Sequence, residues 1–178
     1  MKVPLTPFPD GTVKLWEKYE LSSDIAKTPT AINIEFHLTG DLSSIIWPEP
    51  ESPRQRQDHL WETTCFELFF GPPNSTAYWE VNLAPSGHWN VYAFDDYRAG
   101  MKIEAAIATV NSQSSFASDE AHLTCSIPLN TLRLTSLLEV SITAVLALKS
   151  GEISYWAVKH VASEADFHQR ASFCLRLP

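Results

Sequence analysis

Positive charge is scarce in this sequence. Lys and Arg number 13 against 21 Asp and Glu, giving a formal net charge of −8 over 178 residues. A phosphate backbone attracts the opposite sign, so no nucleic-acid partner is expected. Cysteine is scarce too. Cys65, Cys125 and Cys174 are odd in number and widely spaced, and no Cys-x-x-Cys pair is there to hold zinc. Each lies in an apolar, strand-like stretch where Cys acts as a small hydrophobe, which reads as reduced, packed thiols in a cytoplasmic chain. Gly-x-Gly-x-x-Gly and Walker-type loops are missing, so a nucleotide cofactor has no motif to rest on. Long apolar runs are missing as well. Val140 to Leu148 is too short for a bilayer and is interrupted by Ser141 and Thr143. Met1 to Asp10 lacks the apolar segment of a signal peptide, and no membrane partner is expected. With no internal repeat, low-complexity tract or composition break, residues 1–178 read as one domain.

What the chain does have is aromatic side chains and prolines. Six Trp, nine Phe and five Tyr supply a large apolar payload, and twelve Pro argue against long helices. The dominant period is two. Ile32, Ile34, Phe36 and Leu38 alternate with Asn33, Glu35 and His37, which only a strand places on opposite faces. Leu123, Cys125 and Ile127 alternate with His122, Thr124 and Ser126, and Val140 to Leu148 repeats the pattern. Ile103, Ala105 and Ile107 suggest a further strand. The middle of the chain reads as a three-strand meander: Thr63 to Phe70, then Trp79, Val81 and Leu83, then Trp89, Val91 and Ala93. Gly71-Pro72-Pro73-Asn74 and Pro85-Ser86-Gly87 form its turns. Strands near 12–19, 153–158 and 172–177 bring the total to about ten, which predicts an antiparallel sandwich or barrel. Pro128 to Leu134 is the one helix candidate, with Pro at an early position. Residues 47–59 read as a long surface loop.

Candidate functional residues follow from the alternation. If Phe66, Leu68 and Phe70 face the core, Glu67 faces the other way, and so do Glu80, Asn82, Asn90, Tyr92 and Phe94 on the neighbouring strands. Acids, amides and aromatic rings then share one sheet face at strand spacings of roughly 4.8 Å. Sugars bind through such a mix, hydroxyls to fixed polar groups and a C–H face to a ring. A solvated sheet face with Tyr and Phe lying flat on it would show the same mix. Glu67 and Glu80 could also serve as a glycosidase pair. Asp166, His168 and Arg170 cluster near the end of the chain, but Asp-x-His is too short a motif to argue for metal. Ser86 lies near His88, yet the Gly-x-Ser-x-Gly elbow is missing. Haem needs only axial ligands and an apolar slot, and His168 and Met101 are its candidates. No cofactor and no catalytic residue is expected.

Several segments carry a family resemblance. Leu60 to Glu67, Tyr78-Trp79-Glu80-Val81-Asn82-Leu83, Trp89 to Phe94, and Tyr97-Arg98-Ala99-Gly100-Met101 resemble DOMON-like domains, which are akin to family-nine carbohydrate-binding modules. Cys125 to Leu132, Tyr155-Trp156-Ala157 and Asp166 to Phe173 are similar to the later part of that family. The resemblance implies an immunoglobulin-like antiparallel β-sandwich that binds a sugar or haem without catalysis. It puts Glu67, Asn82 and Arg98 near the binding face, together with Trp156, His168 and Arg170. Thr64 departs from the pattern, because such modules often carry an acid there. The expected ligand set is therefore Glu67, Glu80, Asn82, Tyr92, Arg98, Trp156, His168 and Arg170, and the expected partner is a small molecule of the carbohydrate class.

Overall fold

The computed structural model describes residues 1–11, 13–132, 134 and 137–178. Among them twelve strands form: β1 (Lys2–Pro7), β2 (Glu20–Lys27), β3 (Ala31–Thr39), β4 (Cys65–Gly71), β5 (Tyr78–Leu83), β6 (Trp89–Phe94), β7 (Lys102–Ile103), β8 (Asn111–Phe116), β9 (Glu120–Pro128), β10 (Leu138–Ala147), β11 (Ile153–Ala157) and β12 (Leu175–Leu177). All pairings between them are antiparallel. The order across the sheet is β7-β6-β5-β4-β10-β11-β1-β2-β3-β9-β8, with β12 on β10. Strand β1 is the seam. Its residues 2–5 pair with β2, and Thr6 and Pro7 pair with β11.

The sheet curls over so that its two halves share one core. Ile32, Ile34, Phe36 and Leu38 of β3 are buried with Phe66, Leu68 and Phe70 of β4 and with Ile142, Ala144 and Leu146 of β10. The Phe36 and Phe66 rings meet at 5.0 Å between centroids. This is the face that the period-two pattern assigns to the core.

The β4-β5-β6 meander forms in the expected order. Elsewhere the structure corrects the sequence reading. There are twelve strands among the described residues rather than about ten. Residues 13–16 form a single helical turn, not a strand, while Thr12 lies outside the described residues. Strands β1 and β2 take the places on either side of that turn. Only Lys102 and Ile103 are extended in the weak segment around Ile107, and the polar run of β8 forms the next strand instead. Leu129 to Leu132 make a turn rather than a helix, and Arg133 lies outside the described residues. No helix among the described residues is long and apolar enough to cross a membrane.

Candidate functional site

The β4-β5-β6 meander presents its second face to a smaller apolar cluster, not to bulk water. All seven residues of β4 are buried. Phe69, Tyr78, Tyr92, Phe94 and Phe173 pack together there, with Trp61 and Phe167 against them. Two short 3-10 turns, Leu60–Glu62 and Arg170–Ser172, belong to the segments that cover this face. Between the cover and the sheet lies a cavity of about 320 Å³, within the lower range of small-molecule sites. Glu67 and Glu80 line it together with Trp61, Phe69, Phe94 and Phe167, and Arg98, Met101, Tyr155 and His168 line it as well.

Register explains the polar floor. Glu67 lies directly opposite Asn82, and Glu80 is two residues before Asn82 on the same strand. Alternation therefore places all three side chains on one face. Asn82 Nδ2 donates to Glu80 Oε1 at 2.8 Å, and Thr143 Oγ1 donates to Glu67 Oε2 at 3.0 Å. Only 2% of Glu67 and 5% of Glu80 is exposed. Burial disfavours their charged forms. Desolvation, reinforced by neighbouring Glu80, raises the Glu67 pKa well above the usual carboxylate range. Desolvation pushes Glu80 up to about 7, although the Asn82 amide works the other way. At neutral pH the floor thus holds one protonated carboxyl and one half-titrated one.

His168 sits in the cover. Its ring packs edge-on against Phe69 and Phe94, and Nδ1 is 2.8 Å from the Tyr78 hydroxyl. The Arg98 backbone N–H donates to that same hydroxyl oxygen at 3.2 Å. On the other side of the ring, His168 Nε2 faces Glu80 Oε2 at 3.8 Å. That is too long for a hydrogen bond. Desolvation, with help from the Arg98 charge, brings the His168 pKa down to about 4. His168 and Glu80 are therefore not an ion pair at neutral pH.

Arg98 has a left-handed backbone (φ 50°) in the turn after β6 and reaches Asp166 Oδ1 with Nη2 at 3.0 Å. Asp166 also accepts from Tyr97 Oη, Gln169 Nε2 and the His168 amide, at 2.7, 2.9 and 3.1 Å. Burial opposes its ionisation, but the hydrogen bonds from Tyr97, Gln169 and the His168 amide hold its pKa below the usual carboxylate value. This carboxylate fastens the 95–101 turn to the 166–170 segment. Hydrogen bonds to a charged group contribute about 1.5–3 kcal/mol. Asp166→Ala is accordingly expected to speed hydrogen exchange at the His168 amide by about tenfold or more, while amides in β3 and β9 keep their protection.

The expected residues divide as follows. Glu67, Glu80, Arg98 and His168 come together at the cavity. Asn82 stands beside them and orients Glu80. Tyr92 lies one step further along the same face, donating to Asp58 Oδ1 at 2.6 Å. Trp156 is not brought to the site. It is 2% exposed in the main core, edge-on to Trp16 at 6.3 Å, because its register on β11 points it inward beside Ala144. Arg170 is also elsewhere. It bonds Pro72 O and Glu139 Oε2 at 2.9 and 3.2 Å and lies over the Phe173 ring at 4.5 Å, bracing the end of β4. Trp61 and Phe167 line the cavity without having been singled out in the sequence, and Asp166, read there as part of a cluster with His168 and Arg170, fastens the cover. Alternation already put Phe69 and Phe94 on this face, but nothing in it shows that a loop folds over them.

Ser86 and His88 do not form a nucleophile and base. Both ring nitrogens of His88 are engaged, Nδ1 by the Gln55 amide at 3.3 Å and Nε2 by Glu51 Oε2 at 2.9 Å. The Ser86 hydroxyl accepts from the His88 backbone. Cys65 is wholly buried, and desolvation raises its thiol pKa well above normal. A broader crevice of about 1240 Å³ lies near Arg56 and Trp89. It is open-mouthed, and the guanidinium of Arg56 is already bonded to the Glu104 and Ile107 carbonyls. We therefore place the candidate site at the smaller cavity with its buried carboxyls.

No family model matches this sequence, and no curated protein matches it. Solved structures do resemble the fold. A Bacteroides uniformis protein proposed to bind carbohydrate is 17% identical with a TM-score of 0.68, aligned over 98% of this chain and 85% of that one. A family-nine carbohydrate-binding module from Caldicellulosiruptor kristjanssonii in complex with glucose is 11% identical with a TM-score of 0.52, over 90% and 76%. The same module with cellotriose aligns over 90% and 74%, with the same identity and TM-score. At these identities the likeness is one of fold.

Proposed function

We propose that the protein is a non-catalytic binding module that takes a neutral sugar or sugar-like molecule in the cavity between the β4-β5-β6 face and its cover. One observation carries this reading: the cavity floor has two buried carboxyls whose pKa values are raised by burial, so that at neutral pH they keep protons that exposed carboxylates would have lost, beneath aromatic walls. Such a floor both donates and accepts hydrogen bonds without attracting an ion. Sugar hydroxyls need that duality, and the rings of Trp61, Phe94 and Phe167 suit the apolar C–H faces. The Arg98 charge is already balanced by Asp166, so the rim does not select for an anion. The fold shared with sugar-binding modules supports the same ligand class.

Glu67 and Glu80 project from neighbouring strands of one sheet face. On this reading both carboxyls form the floor beneath the ligand, rather than standing on either side of a glycosidic bond as hydrolysis requires. Haem fits poorly. A porphyrin needs an apolar slot, whereas two carboxyls occupy this floor and Met101 is 48% exposed. Kinship with DOMON-like domains and an immunoglobulin-like sandwich topology belong to the same proposal, supported by the way the two halves of the sheet share a core. Cytoplasmic residence belongs to it too, supported by the buried free thiols of Cys65 and Cys125, although Cys174, expected to be packed, is exposed.

The test is a thermal-shift and calorimetric screen of neutral mono- and disaccharides on protein produced with haem supplied. The expected protein is colourless, and at least one sugar raises Tm. At 100 times Kd the gain is about 2.7 kcal/mol. Trp61→Ala should weaken that sugar by about tenfold, in line with the loss of an aromatic contact. A Soret band, or release of reducing sugar that disappears in Glu80→Gln, would sink the proposal. So would a panel in which nothing binds.

A further inference from the structure

The face of β3 and β9 turned away from the core carries a second constellation, separate from the cavity. Strands β3 and β9 pair so that His37 lies directly opposite His122. Glu35 and Glu120 each lie two residues before one of these histidines, which puts all four side chains on the same face. The flanking Ile34, Phe36, Leu38, Ala121 and Leu123 point the other way into the core. The two imidazoles stack at 4.4 Å with their planes 19° apart. His37 Nε2 is 2.7 Å from Glu120 Oε1, and His122 Nε2 is 3.0 Å from the same oxygen. His122 Nδ1 is 3.1 Å from Glu35 Oε1.

We propose that His37 Nε2, His122 Nε2 and the Glu120 carboxylate form a binding site for a divalent transition-metal ion of the zinc class, with Glu35 orienting His122. The three donors lie within 4.8 Å of one another. Ligand distances of about 2.0–2.2 Å around tetrahedral zinc separate donors by roughly 3.4 Å. The Glu120 contacts, now at 2.7 and 3.0 Å, need to open by about 0.4–0.7 Å to reach that spacing, which these partly exposed side chains can do by small rotations.

The arrangement of donor atoms suits an ion. A carboxylate only accepts. His122 Nδ1 is aimed at Glu35, while His122 Nε2 and His37 Nε2 converge on the Glu120 carboxylate. With a cation present, neutral His122 donates Nδ1–H to Glu35 and offers the Nε2 lone pair to the metal. That is the carboxylate–histidine–metal arrangement by which protein sites fix tautomer and ring orientation. Paired imidazoles select zinc, copper or nickel over magnesium and calcium, which prefer all-oxygen shells. Three protein donors on an open face leave the remaining position to water.

The experiment is calorimetric titration of the full chain with zinc chloride at neutral pH, after removal of metal with a chelator and of the chelator by exchange. The expected result is one equivalent bound. Glu35→Gln, which keeps all three donors, should weaken binding by about 10–100-fold, and the His37→Ala/His122→Ala variant should bind at least 100-fold more weakly than wild type. Magnesium and calcium chloride should give no stoichiometric heat. Near-UV circular dichroism checks that both variants remain folded. Failure to bind one equivalent, or retention of it by the double-histidine variant, would overturn the assignment. Full affinity in Glu35→Gln would also count against it, since the orienting contact is part of the proposal.

Discussion

The stability of the Glu67→Gln/Glu80→Gln double variant is expected to rise with pH between about 4.5 and 6.5, whereas the wild-type chain loses stability over the same interval. The sign follows from counting protons. An unfolded Glu releases its proton near 4.5, but folded Glu67 holds it well above that and folded Glu80 holds it to about 7. Stability contributed by such groups is complete below the unfolded value and is lost as pH rises through the folded one. His168 runs the other way. Its folded pKa is about 4 against 6.5 unfolded, so its contribution is complete above 6.5 and is lost as pH falls toward 4. Within the window folding takes up two protons at the carboxyls and releases one at the imidazole. One proton shifts unfolding free energy by about 1.4 kcal/mol per pH unit, so the wild type should lose roughly that amount per unit from these groups. Removing both carboxyls leaves the histidine alone and reverses the slope. His168→Asn leaves the carboxyls alone and should double it. Urea unfolding at three pH values checks all three proteins. A double variant that keeps the wild-type slope would show that the cavity floor is ionised, and the argument for a neutral ligand would fall with it.

Phe66→Ala is expected to cost about 3–5 kcal/mol, a large part of the 5–15 kcal/mol that holds a typical domain folded. Phe66 is 2% exposed and meets Phe36 across the two halves of the sheet. Its partner on β10 is Ala144 and its partner on β5 is Leu83. The small Ala144 side chain cannot swing into the vacated space, so the cavity stays open and the full penalty is felt. The readout is a lower urea midpoint with an unchanged m-value. Ile153→Ala, at a position 39% exposed, should move the midpoint by far less. Similar shifts for both would mean that the junction between the halves is not where the packing energy resides.

Much of this architecture is legible in the chain, and the reason is period two. In β3, β9 and β10 the apolar alternation marks the core face residue by residue, and Gly and Pro set the turns of the β4-β5-β6 meander. The errors occur where alternation is weak. Strand β8 is almost wholly polar, with Asn111, Ser112, Gln113, Ser114 and Ser115, and it is a strand because β9 offers it a ladder. Val13 to Trp16 has strand-forming residues but takes a helical turn.

The candidate site is legible by face but not by cover. Alternation puts Glu67, Glu80, Asn82 and Tyr92 together correctly. That they are buried depends on residues 60–62 and 166–173 folding over them, a long-range event that leaves no local pattern. Trp156, placed near the binding face by the family resemblance, lies instead in the main core, because its register on β11 turns it inward beside Ala144. His37 and His122 are 85 residues apart, and only the β3-β9 register makes them neighbours.

Strand β1 also sets an order of events in folding. Its last two residues pair with β11, some 150 positions later, so the seam between the halves cannot close until nearly the whole chain is available. Contacts this distant in sequence slow folding, because the loop must be closed before the pairing repays it. During synthesis the β2-β3 hairpin can form early, but the outer edge of β2 stays unpaired beyond the reach of β1, and β11 arrives late, followed only by β12. A chain arrested before residue 153 lacks β11 altogether, leaving Thr6 and Pro7 without their ladder partners and β10 with an open edge. Open edges of this kind recruit other chains. Arrested fragments of this protein should therefore associate with one another at concentrations where the full-length chain does not.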